Sequence, residues 1–174
     1  MPRANAFITG GTGYIGRRLI ARLVTHGLGV RALVRPGSEP KCPAGATAVL
    51  GDVLDRASFA TAMSPADVVV HLVGTPRPSP AKAAEFEAVD FVSARECIAA
   101  ARAAKVRHFV YVSVARPAPV MHAYQNVRAR VERLLAESGL PHTILRPWYV
   151  LGPGHRWPYL LVPAYWLLEA IPST

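Results

Sequence analysis

Ala6-Phe7-Ile8-Thr9-Gly10-Gly11-Thr12-Gly13-Tyr14-Ile15-Gly16 is a short apolar run closed by glycines at a G-x-x-G-x-x-G spacing. Directly after it, Ile15, Leu19, Ile20, Leu23 and Val24 recur at helical spacing, Arg17, Arg18 and Arg22 fall on the opposite side, and Gly27 and Gly29 end the pattern. The order is strand, glycine turn, amphipathic helix. In that setting the chain must turn sharply, lie close to a pyrophosphate and let the helix approach the sheet, and each demand excludes a side chain. The free N–H groups of the helix start point at the phosphates, and the helix dipole adds attraction. The competing reading is a glycine-rich turn with no ligand.

Outward from this unit, apolar runs and helical patterns alternate along the whole chain. Val30–Val34 reads as a second strand, Ala46–Leu50 as a third, Val68–Leu72 as a fourth, Phe109–Val112 as a fifth and Thr143–Leu145 as a sixth. Helical patterns cover Arg56–Met63, Ala83–Lys105 and Tyr124–Ser138, while the proline-bearing stretch Ser38–Gly45 reads as loop. Six strands separated by helical crossovers imply a doubly wound parallel sheet in three layers, a single α/β domain over residues 1–154, followed by an apolar segment over 155–174.

With 174 residues, 51% apolar and 18% charged, the chain can build one core and cannot stay disordered. The formal charge of +9 points first to a polyanion partner. However, three of the twenty bases are Lys and the rest Arg, Ala is frequent, and the charges are dispersed, which a GC-biased genome also produces. Nucleic acid is therefore not the expected partner, and a small anionic ligand fits better. Cys42 and Cys97 make neither a disulfide framework nor a zinc pattern, no histidine pair has metal-ligand spacing, and no run is long enough to span a membrane. These features, with no signal-peptide pattern at the start, lead to an expectation of a cytoplasmic protein without a metal.

The motifs Gly10–Gly16, Gly51-Asp52-Val53, His71-Leu72-Val73-Gly74, Phe109-Val110-Tyr111-Val112-Ser113 and Leu145-Arg146-Pro147 occur in this order and spacing over about residues 5–154. In them the chain resembles the extended and atypical short-chain dehydrogenases/reductases, a family of NAD(P)-binding Rossmann folds. Ala32-Leu33-Val34-Arg35 and the stretch from Leu145 to Gly154 are more similar to its atypical branch, which includes NmrA-like proteins and relatives of a complex I accessory subunit. The resemblance implies a dinucleotide site built from Gly10, Thr12, Gly13, Tyr14, Ile15, Gly16, Arg35, Asp52, Val53, Val73, Gly74, Thr75, Pro147 and Trp148.

In NAD-binding folds an acidic residue at the end of the second strand binds the adenosine ribose, and here Arg35 stands there, about nineteen residues past Gly16. A guanidinium pairs with a 2′-phosphate that a carboxylate would repel, so NADP(H) is expected over NAD(H). A solvent-facing Arg in an Arg-rich chain is the plain alternative. Asp52 and Val53 match the family's adenine-holding positions, although Asp52 also suits a turn cap after the third strand.

Catalytic members of the family use a Tyr-x-x-x-Lys pair with a Ser or Thr at the end of strand five. The resemblance assigns these roles to Ser113, Tyr124 and Arg128, with Arg in place of Lys and Asp90 in place of the family's helix Asn. Arg keeps a positive charge one turn from Tyr124 but cannot relay a proton as Lys does. Tyr124 also shares a helical face with Val127 and Val131 and reads equally as a core residue. The expected function is an NADP(H)-dependent oxidoreductase or epimerase-like protein acting on an unspecified small organic molecule. The alternative is a non-catalytic dinucleotide sensor or accessory subunit with a protein partner.

His71, His108 and His142 read as packing residues, Cys97 as core, and His122 and His155 as loop residues near the mouth of the site. The segment 155–174, rich in Trp, Tyr and Leu and divided by prolines, suits a substrate lid, a subunit contact such as a homodimer interface, or a lipid surface.

Overall fold

Successive residues of a strand face opposite ways. Here Phe7, Val69 and Phe109 enter one buried cluster while Ala6, Ile8, Val30, Ala32 and Val70 enter another. A sheet apolar on both faces needs cover on both faces. The computed structural model of the chain describes residues 4–116, 121–148 and 150–154. Its elements are β1 (Asn5–Thr9), α1 (Tyr14–Thr25), β2 (Gly29–Val34), β3 (Thr47–Leu50), α2 (Ala60–Met63), β4 (Val68–His71), α3 (Ala83–Glu85), a π-helical segment (Phe86–Phe91), α4 (Val92–Ala103), β5 (His108–Val112), α5 (His122–Glu137) and β6 (His142–Leu145).

The six strands form one parallel sheet in the order β3-β2-β1-β4-β5-β6, with Ile8 of β1 in register with Ala32 and Val70. Helix α1 covers one face through Ile20, and α2, α4 and α5 cover the other through Met63, Ala94, Cys97, Val131 and Leu135. This is the three-layer, doubly wound α/β architecture, a Rossmann-type fold. Chain order reverses between β1 and β4, so their carboxyl ends open the crevice in which such sheets bind ligands.

Three element expectations change. The helix expected over 83–105 is broken by the π-helical segment Phe86–Phe91, where the wider turn coincides with Asp90, a buried carboxylate held from outside the helix. The helix expected over 56–63 is a 3₁₀ turn (Arg56–Ser58) and α2, parted at Phe59, whose ring packs 6.4 Å from that of Phe7. The loop 38–45 contains a 3₁₀ turn, Glu39–Lys41. No helix among the described residues is long and apolar enough to cross a membrane. Pro117, Pro119, Tyr149, His155 and the apolar segment 155–174 lie outside the described residues.

Candidate functional site

The glycine turn closes with the Gly13 N–H donating to the Gly10 carbonyl at 3.0 Å, and α1 starts at once. A methyl group at Gly16 would lie 2.4 Å from the Gly10 carbonyl oxygen, so only glycine lets the helix sit this close to the turn. The first turn of α1 has neither a side-chain cap nor an acidic residue. An uncapped helix start of this kind suits an anion. Gly10, Thr12 and Gly13 line one end of a cleft of about 490 Å³ that runs past Leu72, Val73 and Gly74 at the end of β4.

Past the ends of β2 and β3 the cleft is lined by Arg35, Ser38, Lys41, Asp52 and Val53. Arg35 is exposed at the end of β2. Asp52 Oδ1 accepts from the Leu54 N–H at 2.9 Å, which makes it a turn cap, and its residue also borders the cleft. Sequence reasoning missed Lys41 and Ser38. Lys41 lies in a proline-bearing stretch that reads as plain loop, and only the 3₁₀ turn brings it to the cleft.

Behind Gly74, outside the residues that line the cleft, lies a buried ion pair. Arg128 Nη2 donates to Asp90 Oδ1 at 2.6 Å, and Arg128 Nη1 donates to the Tyr111 hydroxyl at 3.1 Å and to the Val112 carbonyl at 3.0 Å. The other oxygen of Asp90 accepts from the Thr75 N–H and hydroxyl at 2.8 and 2.6 Å. Burial opposes the charge of Arg128, but Tyr111, Tyr124 and Asp90 hold it above the usual guanidinium range. Burial pushes the Tyr111 phenol up to about 12 against the pull of Arg128. The Arg128 guanidinium also lies 4.9 Å from the ring centroid of Tyr124, which is itself in ring contact with Phe86. Arg128 Nε is buried with no hydrogen-bond partner. It belongs to a guanidinium that crowds Gly74, where an added methyl would come within 2.3 Å of Nη2.

Ser113 is also buried, and its hydroxyl donates to Glu132 Oε1 at 2.5 Å. Sequence reasoning missed Glu132, although it follows Tyr124 and Arg128 at intervals of four along α5 and so shares their face. Arg116 and Arg146 clasp the same carboxylate. Burial works against ionisation there, but bonds from Arg146 and Ser113 and the two positive charges hold the Glu132 carboxyl below the usual range.

The other expected site residues divide, and Tyr14, Ile15, Gly16, Ser113, Tyr124, Arg128, Pro147 and Trp148 are not among the residues that line the cleft. Val73 and Gly74 line it, whereas Thr75 is occupied with Asp90. Ile15 is half-buried in α1, and the Tyr14 hydroxyl donates to the Pro153 carbonyl at 3.1 Å. The Pro147 carbonyl accepts from the Ala115 N–H at 3.1 Å, and Trp148 is exposed. His71 is fully buried between Thr9 Oγ1 (2.8 Å) and Ser93 Oγ (3.4 Å). No group of three or more potential metal ligands occurs among the described residues.

The donor set fits a dinucleotide: an uncapped helix start for a pyrophosphate and, on the same cleft, the cations Arg35 and Lys41 for further negative charge. Residues 10–156 match the family described as NAD(P)H-binding. A 4-hydroxy-2-methyl-3-oxo-4-farnesyl-3,4-dihydroquinoline-1-oxide ketoreductase of Stigmatella aurantiaca is 29% identical over 84% of this chain and 50% of its own length. A 3-diazoavenalumate denitrifying reductase of a Streptomyces species is 31% identical over 84% of this chain and 56% of its own. Among solved structures, a short-chain dehydrogenase/reductase superfamily protein from Agrobacterium tumefaciens with bound NAD superposes with a TM-score of 0.68 at 26% identity, covering 82% of this chain and 48% of that one. The chain thus spans about half the length of the relatives it matches.

Proposed function

The chain belongs to the NAD(P)H-binding family within the short-chain dehydrogenases/reductases, and from that premise we propose an oxidoreductase that prefers NADP(H) and acts on the carbonyl group of a small organic molecule. The observation that carries the cofactor preference is the pair of cations, Arg35 and Lys41, on the cleft at the end of β2, where a ribose-binding carboxylate would stand in an NAD enzyme. Both carry a positive charge that a 2′-phosphate would pair with, and the guanidinium of Arg35 has the planar fork for it. Asp52 and Val53 border the adenine, and the turn Gly10–Gly16 takes the pyrophosphate.

A bound nicotinamide supplies the hydride. Tyr124 then provides the proton to the substrate oxygen, and the buried guanidinium of Arg128 steadies the negative charge left on the phenol. Arg128 stays charged throughout, so the proton returns to Tyr124 from water rather than through this side chain. The likeness to a ketoreductase and to a second reductase supports this reaction class over epimerisation.

The test is NADPH oxidation against a panel of small ketones and aldehydes, wild type beside Tyr124→Phe. The expected result is turnover by wild type and a fall of about 10²–10⁴-fold in the variant. If NADPH binds and no carbonyl is reduced, the dinucleotide-sensor reading takes its place.

A further inference from the structure

Glu132 of α5 gathers two further segments of the site, those leaving β5 and β6, on one carboxylate. Its Oε1 accepts from Ser113 Oγ (2.5 Å) and Arg146 Nε (3.0 Å), and its Oε2 accepts from Arg116 Nη2 (2.6 Å) and Arg146 Nη2 (2.8 Å). Ser113 and Arg116 belong to the stretch leaving β5, and Arg146 to the stretch leaving β6. Two backbone bonds join the same stretches, Ser113 N–H to Leu145 O at 2.7 Å and Ala115 N–H to Pro147 O at 3.1 Å. Glu132 itself is 6% exposed, whereas the Arg146 side chain is half in solvent.

A carboxylate with four donors on its two oxygens has no reason to take up a proton near neutrality, so it fixes the direction of the Ser113 hydrogen bond. Ser113 has one hydroxyl proton, and Glu132 holds it. Ser113 stands at the carboxyl end of β5, next in the sheet to β4, whose following residues Val73 and Gly74 line the cleft, and to any further group Ser113 can only accept. A group set against it is therefore a donor, such as a carboxamide NH₂ or an alcohol, and a carbonyl oxygen finds no partner there.

We infer that Glu132 is a positioning residue for the nicotinamide half of the dinucleotide: it orients Ser113 as an acceptor and locks the β5 and β6 exits, with Pro147, into one wall. This rests on the dinucleotide reading above. The adenosine half meets Arg35, Lys41 and Asp52, which are distant in the sheet order from β5 and β6. The two halves of the ligand should therefore respond differently to loss of the clasp.

The experiment is calorimetric titration with 2′-phospho-AMP, which carries only the adenosine half, and with NADPH, on wild type, Glu132→Gln and Arg146→Gln. Arg146→Gln cuts the clasp from the solvent side and leaves the buried position filled, so the comparison survives a poorly folding Glu132 variant. In Glu132→Gln and in Arg146→Gln, NADPH affinity is expected to fall about tenfold while 2′-phospho-AMP affinity stays within about twofold. Equal losses for both ligands, or no loss for either, overturn the assignment of Glu132. Failure of wild type to bind NADPH or NADH at all overturns the dinucleotide reading itself.

Discussion

The ion pair between Arg128 and Asp90 is nearly dehydrated, with side-chain exposures of 7% and 0%. A pair in that state costs several kcal/mol to desolvate, and removing one member leaves the other charged and alone. Asp90→Leu should lower stability by about 3–5 kcal/mol in urea denaturation, and Arg128→Met by a similar amount. The double variant Asp90→Leu/Arg128→Met should recover much of that loss, because it removes both charges together. Additive losses would show that the pair is not the unit it looks to be. Gly74→Ala tests the same packing from outside: its methyl would meet Arg128 Nη2 and Asp90 Oδ1, at 2.3 and 3.1 Å. With the guanidinium held by three other bonds, the strain should cost about 1–3 kcal/mol and show as a lower urea midpoint.

Helix α1 and the glycine turn act as one element, because the helix can only start where it does if nothing separates Gly16 from Gly10 and Gly11. A methyl at Gly16 would meet the Gly10 oxygen at 2.4 Å and Gly11 Cα at 2.6 Å, both backbone atoms that cannot rotate away. Gly16→Ala should therefore lift α1 from the turn and abolish dinucleotide binding by calorimetry while circular dichroism still reports a folded chain. Unchanged affinity would contradict the close approach. This unit was legible in the sequence because its information is local: a strand, a glycine spacing and a helical stripe follow one another within twenty residues. The π-helical segment was not legible, since Ala83–Lys105 keeps a helical pattern on both sides of the break and its cause lies on other elements, Thr75 and Arg128. Lys41 and Glu132 were missed for the same reason. Their charges are plain in the sequence, but a 3₁₀ turn and the meeting of three chain segments decide what those charges touch.

At the scale of the whole molecule, His71 at the end of β4 is fully buried and hydrogen-bonded to Thr9 and Ser93. Burial, then the charge of Arg128, lowers its pKa from 6.5 to about 3, so the folded protein keeps this imidazole neutral. The unfolded chain takes up a proton below about pH 6.5 and the native one does not until about pH 3. The stability from His71 is thus complete above pH 6.5 and declines as pH falls toward 3. The expected slope approaches one proton, about 1.4 kcal/mol per pH unit. Unfolding free energies from urea titrations should stay nearly level from pH 7.5 to 6.5 and fall toward that slope from pH 6.5 to 5 in wild type, with the fall flattened in His71→Gln, and parallel curves would refute the assignment. Glu132, lowered instead, should add a further loss only below the carboxylate range near 4.5. The +9 charge takes its meaning at this scale too. Several of its arginines are spent on internal carboxylates, as at Asp90 and Glu132, while Arg35 and Lys41 face the cleft. The most direct test of the account is therefore calorimetric titration of wild type and Arg35→Ala with NADPH and with NADH. The account predicts tighter binding of NADPH by wild type and a loss of about 1–3 kcal/mol for NADPH alone in the variant. Equal affinities of wild type for the two nucleotides would contradict it.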